Sequence, residues 1–251
     1  MFEMVFSVPY YGLDMNDRVK TGLMLQFLQE AAALHADSVN IGVGNLMKRD
    51  MTWVLRRYRV RIHLYPGKRS LSVRTWFEPQ RNLMSVRVFE IRDDIGNVVA
   101  DAWSAWIVVD LKRGRPVRLD RALTEEYFSA AEPTGEPVTD ELAAMKDDFD
   151  FKTRFRVRWG ELDLNGHTNH TVYFDWALES APDGVREHYL PSVLDAEYIS
   201  PVPRGDVTVR TKKISDDPLK FSHVISAGAS DTAAARLATV WRPDTLYSAR
   251  T

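Results

Sequence analysis

The chain has 251 residues, 45% apolar and 27% charged, with a formal net charge of −2 and no cysteine. This is the composition of an ordered globular protein; it excludes disulfides, thiolate metal sites and a cysteine nucleophile, and its charge argues against a general nucleic-acid binder. No apolar run approaches the ~18 residues of a membrane helix, and the first twelve residues lack the basic-then-apolar order of a signal peptide, so a cytoplasmic protein with no membrane contact is expected.

In chain order, residues 5–13 read as a strand and 14–18 as a turn. From 21 to about 39, Leu23, Phe27, Leu28, Ala31 and Leu34 recur at helical spacing, and Met24 and Leu25 widen the stripe. That helix is expected to be wrapped by protein on more than one side. Next, Tyr58, Val60, Ile62 and Leu64 alternate with Arg57, Arg59, Arg61 and His63, the pattern of a half-buried antiparallel strand. A strand at 71–77 and a hairpin of 82–91 with 98–109 follow, and 112–116 closes the unit.

Residues 54–121 hold fifteen Lys/Arg against seven Asp/Glu, whereas 124–150 hold nine Asp/Glu and one Lys. The first surplus is either a basic face for an acidic partner or a solvated outer sheet face. The second, with Pro133, Gly135 and Pro137, reads as an acidic linker, with a short helix predicted at 142–145. Beyond it the plan repeats: a strand at 151–159, a turn at Asp163, and a helix from about Thr171 that Pro182 and Gly184 should end or kink. An extended segment near Tyr198, a turn at 203–205 and strands including 208–211, 221–227 and 233–241 complete it. The reading is an α+β protein of two similar domains, 1–123 and 151–251, each a sheet curled around one buried helix.

The stretch 157–180 is the most site-like. Asp163, Asn165 and His167 stand at alternate positions in a glycine-containing turn directly before the second helix. An imidazole can move a proton near neutral pH, and a helix N-terminus offers N–H groups to a developing oxyanion. Shifted back by 149 positions (163 − 14 = 149) without a gap, Val157 meets Val8, Leu162 meets Leu13, Asp163 meets Asp14, Asn165 meets Asn16 and Glu179 meets Glu30. His167 falls on Arg18, which stays protonated and cannot act as a base. Taken alone, the turn could equally be a polar cap on a helix. A metal site from Asp163, His167 and His170 lacks an HExxH-type pair, so no metal is expected, and no Gly-x-Ser-x-Gly elbow points to a serine hydrolase.

Leu162, Asp163, Asn165, His167, Asn169, Tyr173, Trp176, Glu179 and Ser180, together with Leu28-Gln29-Glu30-Ala31 and Trp53-Val54 in the first half, make the chain resemble the acyl-acyl-carrier-protein (acyl-ACP) thioesterase family. The resemblance implies two tandem hotdog domains, each an antiparallel sheet wrapped around a long central helix, and hydrolysis of fatty acyl thioesters of acyl carrier protein without a cofactor. It implies that His167 takes a proton from water, Asp163 orients and supports the imidazolium, and Asn165 holds the water or carbonyl. Whether His167 or a carboxylate is the base stays open. It places the acyl chain in the first half, along Leu23, Met24, Phe27 and Leu28.

Two positions depart from the family run. His170 replaces an Asn, and the family's catalytic Glu, a few residues after a Glu-Tyr pair, falls at Pro201. Glu197, on the same strand face as 201 by the period-two rule, is the nearest substitute. Three rivals stand beside this reading. A hotdog hydratase has an Asp-to-His spacing one residue longer, a coenzyme A thioesterase shares the fold, and a non-catalytic acyl-binding module would fit if the Glu is essential. The partner is thus an acyl carrier protein or coenzyme A thioester, with a homodimer left open.

Overall fold

The alternating stretches of the first half form strands, and the apolar stripe before them forms one long helix. In the computed structural model, which describes residues 1–78, 82–130 and 148–245, the chain falls into two units, Met1–Thr139 and Asp140–Thr251. The first contains β1 (Phe2–Ser7), α1 (Thr21–Ser38), α2 (Val43–Met47), β2 (Met51–Ile62), β3 (Ser70–Phe77), β4 (Met84–Asp93), β5 (Val98–Asp110), β6 (Arg115–Val117), α3 (Leu119–Ala122) and α4 (Glu125–Ser129). Its strands run antiparallel in the order β1-β3-β4-β5-β2, with β6 on β5.

Helix α1 buries Leu23, Met24, Leu25, Phe27, Leu28 and Ala31, and Phe27 stacks on Phe6 of β1 with ring centroids 4.4 Å apart. This apolar burial, rather than capping, holds α1 in place: its N-cap, Lys20, makes no side-chain cap bond. Several cations of 54–121 make surface ion pairs, among them Arg61–Asp101, Arg69–Asp93, Arg74–Glu3, Arg92–Glu90 and Arg118–Asp120. The predicted linker begins later than residue 124. Residues 125–129 form α4, and its Tyr127 is fully buried, with its hydroxyl 2.8 Å from Ser85 Oγ. An aromatic side chain of that size recovers more free energy in the core than in a solvated connection. The helix predicted at 142–145 lies outside the described residues.

The second unit contains β7 (Phe151–Arg156), α5 (His170–Glu179), α6 (Asp183–His188), β8 (Tyr189–Tyr198), β9 (Asp206–Asp216), β10 (Leu219–Ala227) and β11 (Ala233–Pro243). Its antiparallel order is β8-β11-β10-β9-β7. Each unit is therefore a sheet with one principal buried helix, the hotdog arrangement. The gap-free shift survives in three dimensions. The first strands begin at 2 and 151, the short 3-10 turns at 10 and 159, and the principal helices at 21 and 170, each 149 apart (151 − 2, 159 − 10, 170 − 21). Helix α5 stops at Glu179, and Pro182 caps the separate α6.

A polar staple runs through the second sheet. His223 is fully buried, with Nδ1 2.9 Å from Thr211 Oγ1 and Nε2 3.0 Å from Thr239 Oγ1, so β9, β10 and β11 are tied together by one ring. Burial depresses its pKa to about 3. Because the folded value lies below the unfolded one of ~6.5, the stabilising contribution is complete above pH ~6.5 and is lost as pH falls toward 3, at about 1.4 kcal/mol per pH unit. A His223→Gln variant should lose that share of the slope between pH 6 and 4 in urea unfolding. An unchanged slope would contradict the burial of a neutral imidazole.

Candidate active site

The turn ahead of α5 is closed by the Asp163 carboxylate. Its Oδ1 accepts the N–H of Asn165 at 2.8 Å and of His167 at 3.2 Å, while Asp163 N donates to His167 O at 2.7 Å and Gly166 N to Asp163 O at 3.0 Å. Gly166 takes the left-handed conformation the turn needs, with φ +73°. The first unit builds the same turn: Asp14 Oδ1 accepts from Asn16 N at 2.8 Å and Arg18 N at 3.0 Å, with Asp17 at φ +60°. There the ending differs, for Arg18 is buried and its Nε lies 3.3 Å from Asp14 Oδ2.

This revises one expected role. The sequence reading has Asp163 supporting the His167 imidazolium, whereas the carboxylate binds the backbone of His167 and so fixes where the residue stands. Asn165 and His167 are both exposed on the turn, and no side chain among the described residues hydrogen-bonds the His167 ring.

Behind the turn the walls are aromatic and buried. Asn169 caps α5 by accepting from Thr171 N at 3.0 Å, so this amide, one of those available for an oxyanion, is already engaged. His170 opens the helix rather than preceding it. Burial lowers its pKa to about 4, and its ring sits edge-on to Tyr198, 6.2 Å between centroids. Tyr198 donates its hydroxyl to His170 O at 2.9 Å. Burial pushes the Tyr173 hydroxyl up to about 12; the Asp163 charge adds to this and the amide of Val202 opposes it. At neutral pH His170 and Tyr173 are uncharged: burial makes the His170 ring a weak proton acceptor and keeps the Tyr173 hydroxyl protonated.

The segment after β8 clamps the turn, a feature the sequence reading missed. Thr168 donates both N–H and Oγ1–H to Val202 O at 2.9 Å, Val202 N donates to Tyr173 Oη at 3.1 Å, and Val157 N donates to Gly205 O at 2.8 Å. Position 201 is thus one residue from the clamp on Thr168, the neighbour of His167, and it carries an exposed proline. Glu197, the expected substitute for the missing carboxylate, is directed elsewhere. Strand β8 ends at Tyr198, so the period-two rule does not reach position 201. Tyr198 faces α5, Glu197 faces away, and its Oε2 accepts from Arg236 Nη1 at 3.1 Å across β8 and β11. The four predicted acyl-pocket residues, Leu23, Met24, Phe27 and Leu28, are all buried on α1; as i, i+4 pairs, Leu23 with Phe27 and Met24 with Leu28 form two adjacent stripes.

Residues 1–127 match the family description "Acyl-ACP thioesterase N-terminal domain" and 144–243 match "Acyl-ACP thioesterase C-terminal domain". The chain belongs to the acyl-ACP thioesterase family. A chloroplastic dodecanoyl-[acyl-carrier-protein] hydrolase of Cinnamomum camphora is 26% identical over 97% of this chain and 68% of its own length. A chloroplastic palmitoyl-acyl carrier protein thioesterase of Arabidopsis thaliana is 26% identical over 79% of this chain and 51% of its own. The chain therefore spans between about half and about two thirds of these plant relatives. Among solved structures, the 12:0-ACP thioesterase from Umbellularia californica superposes with a TM-score of 0.86 at 23% identity, covering 97% of this chain and 94% of that one. An acyl-ACP thioesterase from Bacteroides thetaiotaomicron gives 0.84 at 21% identity, covering 96% and 97%. At these identities the superpositions speak for the fold.

Proposed function

We propose that the protein hydrolyses fatty acyl thioesters of acyl carrier protein, releasing the fatty acid and the carrier thiol. The observation that carries this reading is the turn of the second unit, which holds His167 at the surface in a backbone cage that the first unit builds around Arg18 instead. His167 acts as general base toward water, Asn165 holds the water or the thioester carbonyl, and Asp163 sets the position of both. The carbon to be attacked bears a good leaving group, a thiolate, so one positioned base and a polar cradle suffice for turnover without a second carboxylate at Pro201. A lower rate than a site retaining that Glu is the expected consequence. The relatives are named for carrier-bound substrates, which favours the carrier over coenzyme A. The cysteine-free composition fits a reducing compartment, and we retain a cytoplasmic location in this proposal, although the plant relatives carry chloroplastic names.

Comparing kcat/KM for one acyl group on the carrier and on coenzyme A tests the substrate class. A preference for the carrier is expected, and a preference for coenzyme A would overturn that part. The acyl chain is placed along α1. Enlarging or trimming Leu23 and Phe27, the stripe nearer β1, should shift chain-length preference by two or more carbons, while an unchanged product profile across such a series would remove the chain from α1.

A further inference from the structure

Strand β7 carries charge that folding does not account for. Its inward side chains, Thr153 and Phe155, face the core, and Phe155 stacks toward Trp176 at 6.2 Å. The outward ones, Lys152, Arg154 and Arg156, are exposed and form no ion pair among the described residues. The first unit supplies an internal control. Under the shift of 149 these positions fall on Glu3, Val5 and Ser7 of β1, so the copy with Arg18 has one acid and two neutral residues where the copy with His167 has three cations.

The cross-strand partners sharpen the contrast. Glu3 stands opposite Arg74 and pairs with it at 3.2 Å. In the second unit Lys152 stands opposite Arg210, a like-charge pair, which is destabilising. Arg210 is drawn off to Asp231 and Ser226. The acids near the row do not neutralise it: Asp206, opposite Arg156, makes no ion pair among the described residues, Asp148 pairs with Lys212 and Asp150 accepts Lys213 N.

The row also leads somewhere. One residue beyond Arg156, Val157 binds Gly205, and the adjacent Arg204 lies over the Trp159 ring, 5.4 Å from its centroid. Trp159 is 74% exposed and Leu164, inside the site turn, 92%. A cationic strip that passes an exposed aromatic and ends at the catalytic turn has the form of a docking surface for a large anionic partner. We propose that Lys152, Arg154, Arg156 and Arg204, with Trp159, form the surface on which the acidic acyl carrier protein docks, so that its thioester is delivered to the turn bearing His167. This rests on the proposed carrier substrate. It places the steering charge on the unit that carries His167, not on the more basic first unit, where the strand matching β7 pairs its one charged residue, Glu3, with Arg74.

The test combines kinetics with binding. In the triple variant Lys152→Glu, Arg154→Glu, Arg156→Glu, KM for an acyl carrier substrate should rise about tenfold or more with kcat nearly unchanged, and the salt dependence of kcat/KM should flatten. Hydrolysis of the same acyl group on N-acetylcysteamine should be unaffected. A control that adds acids to the first unit, Val5→Glu with Ser7→Glu, should leave the carrier KM within twofold. Binding of an acyl carrier whose thioester is replaced by an amide should weaken in parallel, and this holds whether or not the wild type turns over. An unchanged carrier KM and an unchanged amide-probe affinity would overturn the surface while leaving the thioesterase reading intact. Increased self-association with unaltered carrier binding would assign the charges to guarding the open edge of β7, and would equally overturn it. Absence of hydrolysis of every thioester by the wild type would defeat the thioesterase reading alone, with the amide probe still deciding the surface.

Discussion

Replacing His167 by Ala should lower kcat for acyl carrier hydrolysis by about a hundredfold or more, the usual scale for a positioned acid–base group, with stability changed by less than about 0.5 kcal/mol. Both halves of this expectation come from the geometry. The turn is closed through the backbone N–H and C=O of residue 167, which Ala retains, and the exposed ring contributes no hydrogen bond among the described residues. Burial weakens the neighbouring His170 as a proton acceptor and keeps Tyr173 protonated, so neither matches an exposed imidazole as a base. His167→Arg, which copies the first unit, should fold and be equally inactive. Near wild-type turnover in either variant would move the chemistry away from this turn.

Asp163 should behave differently from a partner of the imidazole. Asp163→Ala leaves the N–H groups of Asn165 and His167 without their acceptor, and should cost about 1 kcal/mol of stability, because water can reach the exposed turn, together with about a hundredfold in rate as His167 loses its position. Asp163→Asn keeps an oxygen where Oδ1 now sits, so its rate should recover to within about tenfold of wild type. If the Asn variant is instead as slow as the Ala variant while its backbone remains intact by amide hydrogen exchange, the negative charge itself supports the reaction and the backbone role is secondary.

Much of this was legible before any coordinates. The shift of 149 predicted that strand, turn and helix starts would coincide between the units, because side-chain pattern and turn chemistry are both local properties. What could not be read were consequences of contacts across the chain. Sequence spacing gives no sign that a carboxylate two and four residues before two amides will bind their N–H groups rather than an imidazole, although the matched Asp14 turn, which has no imidazole to support, was a clue in plain view. Extrapolating the period of two past Tyr198 failed because alternation holds only while the strand lasts, and Pro201 and Pro203 end it in a clamp that depends on Thr168 and Tyr173. The acidic composition of 124–150 hid α4, since the burial of Tyr127 is decided by its partner Ser85 and by the ring of Phe77, 4.8 Å away between centroids, and not by the charges around it.

The most direct measurement is the product balance of the wild-type protein with a fatty acyl carrier substrate. Equal amounts of free fatty acid and free carrier thiol should appear over many turnovers, and the His167→Ala protein should release both about a hundredfold more slowly, or slower still. Tight binding of the acyl carrier without release of the thiol, across saturated chains from eight to eighteen carbons at about neutral pH, would contradict the account and leave an acyl-binding protein whose site lost its chemistry with the carboxylate at position 201.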